Sequence, residues 1–495
     1  MSLRSPGSPG SPGRPRGVTG FGGYVPRLRM ERAAIAAAHR WMAPSLRALG
    51  KGRRAFCSWD EDSVTMAVEA ARDLARGRSL AGVGRLLFAS TSMPFADLQN
   101  ASLVHGALGL PDSARTLDIG QSQRAGTAAL LEALTAEGDE EALVVASDCP
   151  RGKPASTQEL TFGAGAAAFT IGRDGVLAEL LGHASVSSTF VDHFRSNDNR
   201  FDYFWEERWV RDEGYLKIVP PTVRAALAQA GLAPTEVAHF VMPSAFKGIA
   251  TALAKALGLA PGVEAPSLDE ACGYAGSAHA LLMLAAVLEK ARPGDVVLVV
   301  GFGQGCDALV LRVTEAIAGF KPGRGVAGAL ADAQPHDAYL RMLSYDDGIE
   351  LEWGMRAEKP VKTALTEQYR SRGQLAAFVA GRCAECGTVQ FPQLAYCVSP
   401  GCNAPAQGFE PVPLADIGCK VLTFTADWLS YHPSPPLYVG FVQFDNGARL
   451  LMEMVDVGSA GLEVGTPLRV AFRIKDVDKA RGYPRYFWKA TPIAP

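Results

Sequence analysis

Between residue 17 and about residue 313 the chain alternates apolar, strand-like runs with alanine-rich amphipathic stretches. This alternation is typical of layered α/β domains, in which helices cover the faces of a sheet. Two apolar runs, 143–146 and 297–300, each follow an Ala/Leu-rich helical stretch and end at a turn. The pattern predicts an α/β fold of two related halves, with strands at 86–90, 142–146, 166–171, 238–242 and 296–300 and helices at 64–76, 126–136, 221–229 and 277–290.

The composition excludes several classes of partner. The 495 residues, 48% of them hydrophobic, suffice for two or three domains. A net charge of -2, from 49 Lys and Arg against 51 Asp and Glu, gives no general attraction to nucleic acid or to an anionic membrane. No apolar run reaches the roughly 18 residues of a membrane span, and the first 17 residues lack a hydrophobic signal core. We therefore expect a soluble cytoplasmic protein with no nucleic-acid or membrane partner.

Four of the nine cysteines form two short pairs, Cys383 with Cys386 and Cys397 with Cys402. Each pair can aim two thiolates at one ion, and four thiolates complete a closed tetrahedral zinc shell. The spacing predicts a structural zinc ribbon. The alternatives are a redox pair at the first two positions, or four unrelated buried cysteines.

Short apolar runs follow the cysteine pairs, with a hairpin signal at Asp445-Asn-Gly447. A zinc ribbon followed by a small β-barrel resembles the OB-fold acyl-CoA-associated family that accompanies thiolases, over roughly 374–495. We place a disordered Ser-Pro-Gly-rich tail at 1–16, an α/β domain at 17–335, a linker at 336–373, a zinc ribbon at 374–408 and an OB-fold at 409–495.

The α/β region resembles the hydroxymethylglutaryl-CoA synthase and ketoacyl synthase III branch of the thiolase superfamily. The similar segments are 18–27, 58–71, the nucleophile turn and buried helix at 117–134, and the glycine loop at 301–305. The resemblance implies a five-layer thiolase fold with duplicated halves. It also implies a homodimer and an acyl-CoA substrate.

The residues that this family uses for catalysis are replaced here. Gln123 stands at the position of the nucleophilic cysteine, Thr91 at that of the glutamate, Val241 at that of the histidine and Tyr274 at that of the asparagine. A shift of one residue would put Ser122 at the nucleophile turn. A glutamine amide cannot carry an acyl group as a cysteine thiolate does. The resemblance therefore implies a thiolase-like pocket without its usual covalent intermediate.

Three candidate groups suit an enolate rather than an acyl-enzyme. Amides near Gly303 and the Gln123 side chain would stabilise the enolate, and the Tyr274 phenol would move protons. We therefore favour an enzyme that makes or breaks a C–C bond in an acyl-CoA. The most specific form of this hypothesis is retro-aldol cleavage of a β-hydroxyacyl-CoA. Lys247 and Arg124 are candidates for binding the CoA phosphates.

Two alternatives stay open. An acyltransferase related to hydroxymethylglutaryl-CoA synthase, or a decarboxylase, could use the turn at Ser122 and Gln123, with His239 or His279 as the base for a serine nucleophile. A non-catalytic scaffold for an active thiolase would explain the lost positions. A separate thiolase or hydratase is a further candidate partner, whichever function is correct. The aromatic and charged stretch at 201–215 is a candidate for an acyl tunnel or an interface.

Overall fold

The computed structural model describes residues 15–358, 360–459 and 461–493. The strands are β1 (Gly17–Tyr24), β2 (Leu28–Glu31), β3 (Arg53–Ala55), β4 (Val83–Ala89), β5 (Arg115–Ile119), β6 (Glu141–Asp148), β7 (Gly165–Gly172), β8 (Ala178–Ser187), β9 (His193–Phe194), β10 (Tyr203–Phe204), β11 (His239–Val241), β12 (Val296–Phe302), β13 (Gly305–Val313), β14 (Gln334–His336), β15 (Val379–Cys383), β16 (Val389–Gln390), β17 (Phe409–Pro413), β18 (Cys419–Val421), β19 (Thr425–Asp427), β20 (Leu437–Phe444), β21 (Arg449–Met454), β22 (Pro467–Asp478) and β23 (Tyr483–Pro492). The α-helices are α1 (Arg32–Ala38), α2 (Ser63–Leu74), α3 (Asn100–Leu108), α4 (Ala125–Thr135), α5 (Thr157–Thr161), α6 (Glu207–Trp209), α7 (Leu216–Ala230), α8 (Ile249–Leu257), α9 (Asp269–Cys272), α10 (His279–Leu288), α11 (Gly325–Ala331), α12 (Tyr339–Tyr345), α13 (Leu365–Arg370) and α14 (Arg372–Leu375). Across these ranges, none of the helices has both the length and the apolar character needed to cross a membrane.

The central sheet has nine strands in the order β11-β12-β13-β8-β1-β7-β6-β4-β5. The first half contains β1-β7-β6-β4, with two antiparallel pairings followed by a parallel one. The second half contains β8-β13-β12-β11 and repeats that pattern. The halves meet where Gly17 and Val18 pair with Glu179 and Ala178. The repeated topology matches the two related halves that the sequence predicts.

Alternating residues on each strand face different cores, which separates the domain into five layers. On β6, Val144 and Ala146 face the central core, where α4 and α10 pack, whereas Leu143 and Val145 face the core under α2 and α3. On β12, Leu298 and its alternate neighbours face a third core, under α7 and α8. The order is therefore helices, half-sheet, helices, half-sheet, helices, in agreement with the predicted thiolase-like architecture.

Two predicted boundaries differ from the structure. Pro221 is a typical helix start, but α7 begins at Leu216, because the chain from 207 to 215 is already helical and Pro220 and Pro221 continue it. Arg16, which we assigned to the disordered tail, is buried and donates hydrogen bonds to the carbonyls of Ala133 and Glu140. Residues 1–14 of that tail lie outside the described residues.

The predicted linker carries structure of its own. Strand β14, which ends at the first linker residue, His336, pairs with β2. Met342 of α12 packs in a core with Met30 and Phe56. This part of 336–373 is therefore folded against the α/β domain. The domain limits themselves stay predictions.

The C-terminal part contains a small sheet and a barrel. Strands β16-β15-β17 form a three-stranded sheet beside the cysteines. Strands β18, β22, β23, β21 and β20 pair in that order and close through β18 and β20 into a five-stranded barrel. The turn at 445–447 joins β20 and β21 as a hairpin, as predicted. A small β-barrel is therefore confirmed, and its assignment as an OB-fold stays a prediction.

Buried charges join the barrel to the α/β domain. Arg473 of β22 is fully buried, with its guanidinium 3.2 Å from Glu61 Oε1 and 3.0 Å from Asp456 Oδ2. Lys489 of β23 lies 3.1 Å from Asp60 Oδ2. Because isolated buried charges are costly, separating the barrel from the loop that precedes α2 would leave these groups without their partners.

Candidate functional site

Gln123 lies at the turn that begins helix α4, close to both halves of the fold. The turn is closed by a hydrogen bond from Ala125 N to Ser122 O, and Gln121 before it has φ +67°, a conformation that non-glycine residues rarely adopt. Gly126 permits close packing, since a Cβ there would lie 2.4 Å from the Ser277 carbonyl oxygen. The turn is therefore held rigidly against the start of α10.

The Gln123 side chain links Tyr274 to His193. Tyr274 Oη donates to Gln123 Oε1 at 3.2 Å, and Gln123 Nε2 donates to His193 Nε2 at 3.0 Å. His193 Nδ1 in turn donates to Asp192 Oδ2 at 2.9 Å, and Gln304 Nε2 donates to Asp192 Oδ1 at 2.6 Å. Gln123 is 8% exposed and Tyr274 6% exposed. The five side chains form one buried hydrogen-bond chain, which we call the Gln123 network.

His193 reaches this network on a short hairpin, β9–β10, in which it pairs with Phe204. Asp202 N bonds to the Arg151 carbonyl, and the Arg195 guanidinium binds Asp202 Oδ1 at 3.3 Å as well as the Thr91 carbonyl. These contacts hold the hairpin over the start of α4. Strands of two residues are too short to give a sequence period, so the sequence interpretation missed His193.

The environment changes the acidity of two network groups. Burial lowers the pKa of His193, but the hydrogen bond and charge of Asp192 more than offset it, so the net pKa is raised above 6.5. Burial raises the pKa of Tyr274 well above 10, and the nearby carboxylates of Asp192 and Asp148 act in the same direction. Tyr274 therefore stays a protonated donor, whereas the Asp192 contact favours the protonated form of His193.

Ser122 and Gly303 meet beside the network. Ser122 Oγ donates to the Gly303 carbonyl at 2.9 Å, and a Cβ on Gly303 would lie 3.0 Å from Gln123 N. Gly303 N–H, which we predicted to face an oxyanion, donates instead to the Gly305 carbonyl at 3.1 Å. The glycine loop therefore packs on the turn, and the Ser122 hydroxyl hydrogen is bound to a carbonyl.

Neither histidine that we considered as a base for Ser122 adjoins it. His239 Nε2 lies 3.1 Å from Asp295 Oδ2, and His279 Nε2 lies 2.7 Å from the Ser267 carbonyl oxygen. Both rings are thus engaged elsewhere, while the histidine of the site is His193.

The two predicted CoA-binding cations occupy different surroundings. Arg124 is mostly buried, and its guanidinium lies 2.6 Å from Asp307 Oδ1 and 3.1 Å from the Gly303 carbonyl oxygen. Lys247 is exposed in the loop before α8. The structure thus uses Arg124 to brace the glycine loop and leaves Lys247 at the surface.

Asp148 joins both halves of the fold beside the network. Its fully buried carboxylate accepts hydrogen bonds from Thr91 Oγ1 at 2.7 Å and from Ser277 Oγ at 2.9 Å. Thr91, where the family resemblance implied a glutamate, is therefore a hydrogen-bond donor to Asp148. Val241, where it implied a histidine, is a buried residue of β11.

The four predicted zinc ligands converge as a second site. All four Sγ atoms lie within 4.8 Å of one another. The Cys383–Cys402 distance is 3.8 Å and the Cys386–Cys397 distance is 3.5 Å. Tetrahedral zinc with Zn–S bonds of about 2.3 Å requires sulfur atoms roughly 3.8 Å apart, so the donor set fits this ion.

Comparison with known proteins identifies the family. The model for the C-terminal region of 3-oxoacyl-[acyl-carrier-protein] synthase III matches residues 227–313. The hydroxymethylglutaryl-CoA synthase of Aeropyrum pernix is 31% identical over 354 residues, which cover 69% of this chain and 93% of the relative. The chain belongs to the hydroxymethylglutaryl-CoA synthase family. The hydroxymethylglutaryl-CoA synthase of Methanocella arvoryzae is also 31% identical, over 61% of this chain and 89% of its own length.

Solved structures agree with a hydroxymethylglutaryl-CoA synthase fold. A hydroxymethylglutaryl-CoA synthase complexed with CoA superimposes with a TM-score of 0.58 at 17% identity, over 70% of this chain and 94% of that one. The 3-oxoacyl-(acyl carrier protein) synthase III of Pseudomonas aeruginosa PAO1 gives 0.53 at 23% identity, over 61% and 99%. The predicted thiolase superfamily and the thiolase-like α/β fold are confirmed.

Proposed function

We propose that this member of the hydroxymethylglutaryl-CoA synthase family binds an acyl-CoA and makes or breaks a C–C bond without an acyl-enzyme, by aldol addition or its reverse. The observation that carries the proposal is the Asp192–His193 pair, whose imidazole lies 3.0 Å from the side chain at the usual nucleophile position. The names of the relatives support a CoA thioester as the substrate.

The proposed chemistry moves one proton. In the addition direction His193 Nε2 removes a proton from the α-carbon of the thioester, and the enolate attacks a carbonyl carbon to form the C–C bond. The imidazolium then returns the proton to the new alkoxide, so no net proton is consumed. Asp192 stabilises the imidazolium. The Tyr274 phenol donates a hydrogen bond to the thioester oxygen, which becomes negative in the enolate. Retro-aldol cleavage follows the same steps in reverse.

Gln123 positions both groups in the resting protein. Its amide accepts from Tyr274 and donates to His193, so it orients the pair at the place where an acyl-cysteine would otherwise stand. When substrate binds, the thioester oxygen can take the place of one of these contacts. Gln123 therefore binds and orients in this mechanism and forms no covalent bond.

A turnover assay tests the function. The purified chain is incubated with a panel of β-hydroxyacyl-CoA thioesters, and, in the other direction, with acetyl-CoA plus aldehydes or ketones. We expect a shortened thioester and a carbonyl product, or the reverse addition. If instead no substrate reacts while a thiolase copurifies, the scaffold function is correct. Loss of CO₂ from a malonyl thioester would favour the decarboxylase.

The raised pKa of His193 predicts a pH dependence. A base works in its neutral form, so kcat/KM should fall as the pH drops through a value above 6.5. Asp192→Asn removes the charge and hydrogen bond that raise this pKa most and leaves the burial that lowers it, so the acidic limb should move to lower pH while the rate decreases. An acidic limb that Asp192→Asn leaves in place would contradict the assignment.

We also propose one structural zinc ion, held by Cys383, Cys386, Cys397 and Cys402, with no step in the reaction. We expect the purified chain to retain about one zinc per molecule after dialysis, measured by inductively coupled plasma mass spectrometry. Cys402→Ser should lose the metal and lower the unfolding temperature. Cys149→Ser, outside the cluster, should retain it. A fully folded chain without metal would contradict the proposal.

Two further parts of the proposal concern partners. Strand β5 is the last strand of the central sheet, and Leu117 on it is half exposed, which suits pairing with a second copy as a homodimer. The C-terminal ribbon and barrel are proposed to be an OB-fold module of the acyl-CoA-associated type. A separate thiolase or hydratase would act before or after this enzyme.

A further inference from the structure

Aromatic rings close a wall around the catalytic groups of the Gln123 network. The ring centroids of His193 and Phe204 are 5.1 Å apart, those of Phe204 and Phe162 are 5.4 Å apart, and those of Phe162 and Tyr274 are 6.3 Å apart. Tyr274 and His193 also meet through Gln123. These contacts therefore form a closed circle of five side chains: His193, Phe204, Phe162, Tyr274 and Gln123. Apart from Gln123 the circle is entirely aromatic, and we call its rings the aromatic wall.

A fifth ring extends the wall beyond the hairpin. Phe246, in the loop after β11, packs edge-on against Phe204, with ring centroids 6.1 Å apart. Because neighbouring residues of a strand face opposite sides, Phe194 and Tyr203 lie on the other face of the hairpin, where both are about half exposed. Phe204 therefore faces the site and Phe194 faces away from it.

The charges around the wall are mainly negative. Asp148, Asp192 and Asp202 are all buried or nearly so, and all three lie close enough to act on His193. The nearby cations Arg124 and Arg195 are already bound to carboxylates and carbonyls.

A substrate carboxylate placed against this wall would lose water, and it would have to share the guanidiniums of Arg124 and Arg195 with the acids that they already bind. It would also lie near like charges, which is unfavourable in a buried site. A neutral hydrocarbon substituent would instead be covered by the rings and lose apolar surface to water.

We infer that the substrate carries a neutral, apolar substituent at its β-carbon, and that Phe204, Phe246 and the surrounding carboxylates exclude substrates with a carboxylate there. This inference rests on the proposed function, because it names the substrate class of the same site. It separates this chain from a relative whose structure holds 3-hydroxy-3-methylglutaryl coenzyme A, a thioester with a terminal carboxylate.

A matched pair of thioesters tests the inference. 3-Hydroxy-3-methylbutyryl-CoA and 3-hydroxy-3-methylglutaryl-CoA differ in whether a terminal carboxylate is present. We expect kcat/KM for the neutral thioester to be higher by at least about tenfold, the scale on which buried like charges discriminate. Phe204→Arg should narrow this ratio by supplying a cation. Phe194→Arg, on the outer face of the same hairpin, should leave it unchanged.

Binding separates failure of this inference from failure of the proposed function. If neither thioester reacts but calorimetry shows tighter binding of the neutral one, the selectivity stands and the C–C chemistry is wrong. If the thioester with the carboxylate reacts or binds as well as the neutral thioester, or better, the proposed selectivity is overturned. If the wild-type chain binds neither, both are overturned.

Discussion

His193→Ala should lower kcat by roughly 10²- to 10⁴-fold, the usual contribution of a general base. The imidazole is the basic side chain of the Gln123 network, and Asp192 at 2.9 Å would stabilise its charged form. KM should change less, because the enlarged site still contains the aromatic wall. The measurement is a steady-state comparison with the best substrate of the panel, supported by circular dichroism to show that the variant is folded.

Two variants control this result. His193→Gln keeps a polar side chain near Gln123 but cannot act as a base, so it should be almost as slow as the alanine variant. His239→Ala removes the histidine of another His–Asp pair, 3.1 Å from Asp295, and should leave the rate within about twofold of wild type. Activity of His193→Ala close to wild type would show that another group is the base.

Arg473→Ala should lower the free energy of unfolding by about 3–5 kcal/mol, the usual cost of removing one partner from a buried ion pair. The side chain is fully buried, and its removal leaves Glu61 and Asp456 without the guanidinium that binds both. Since these two acids come from the α/β domain and from the barrel, the contact between the two should open first. Urea unfolding, followed by circular dichroism, measures the effect.

An exposed pair provides the matched control. Lys51 and Glu270 lie 3.0 Å apart, but their side chains are 78% and 55% exposed. Lys51→Ala should therefore change the free energy of unfolding by only about 0–1 kcal/mol. Equal effects of Lys51→Ala and Arg473→Ala would mean that the buried network contributes no more than a surface ion pair to stability.

The sequence predicted the fold well because its signals are periodic. The alternation of apolar runs and alanine-rich helices indicated both halves, and the spacing of Cys383, Cys386, Cys397 and Cys402 indicated a single thiolate cluster. Glycine and asparagine at 445–447 fixed one hairpin of the barrel. Regular elements of this kind depend on local spacing, which a sequence displays directly.

The site was predicted only in part, because its members come together through long-range packing. Gln123, Ser122, Tyr274 and Gly303 do meet around the start of α4, as the family resemblance implied. His193 lies in an irregular segment whose only sequence signal is the Asp-His pair itself, and a single histidine carries no spacing that would connect it with Gln123. The structure supplies that connection through the β9–β10 hairpin.

We propose that C–C chemistry proceeds in this protein without an acyl-enzyme. Intact-protein mass spectrometry during steady-state turnover of the reactive CoA thioester tests it most directly, because a covalent acyl group adds a fixed mass to the chain. We expect product formation with the protein mass unchanged, and an acyl adduct only in a Gln123→Cys variant. An acyl adduct on the wild-type chain that forms as fast as product would contradict this mechanism. Peptide digestion would map such an adduct to Ser122 or to another residue.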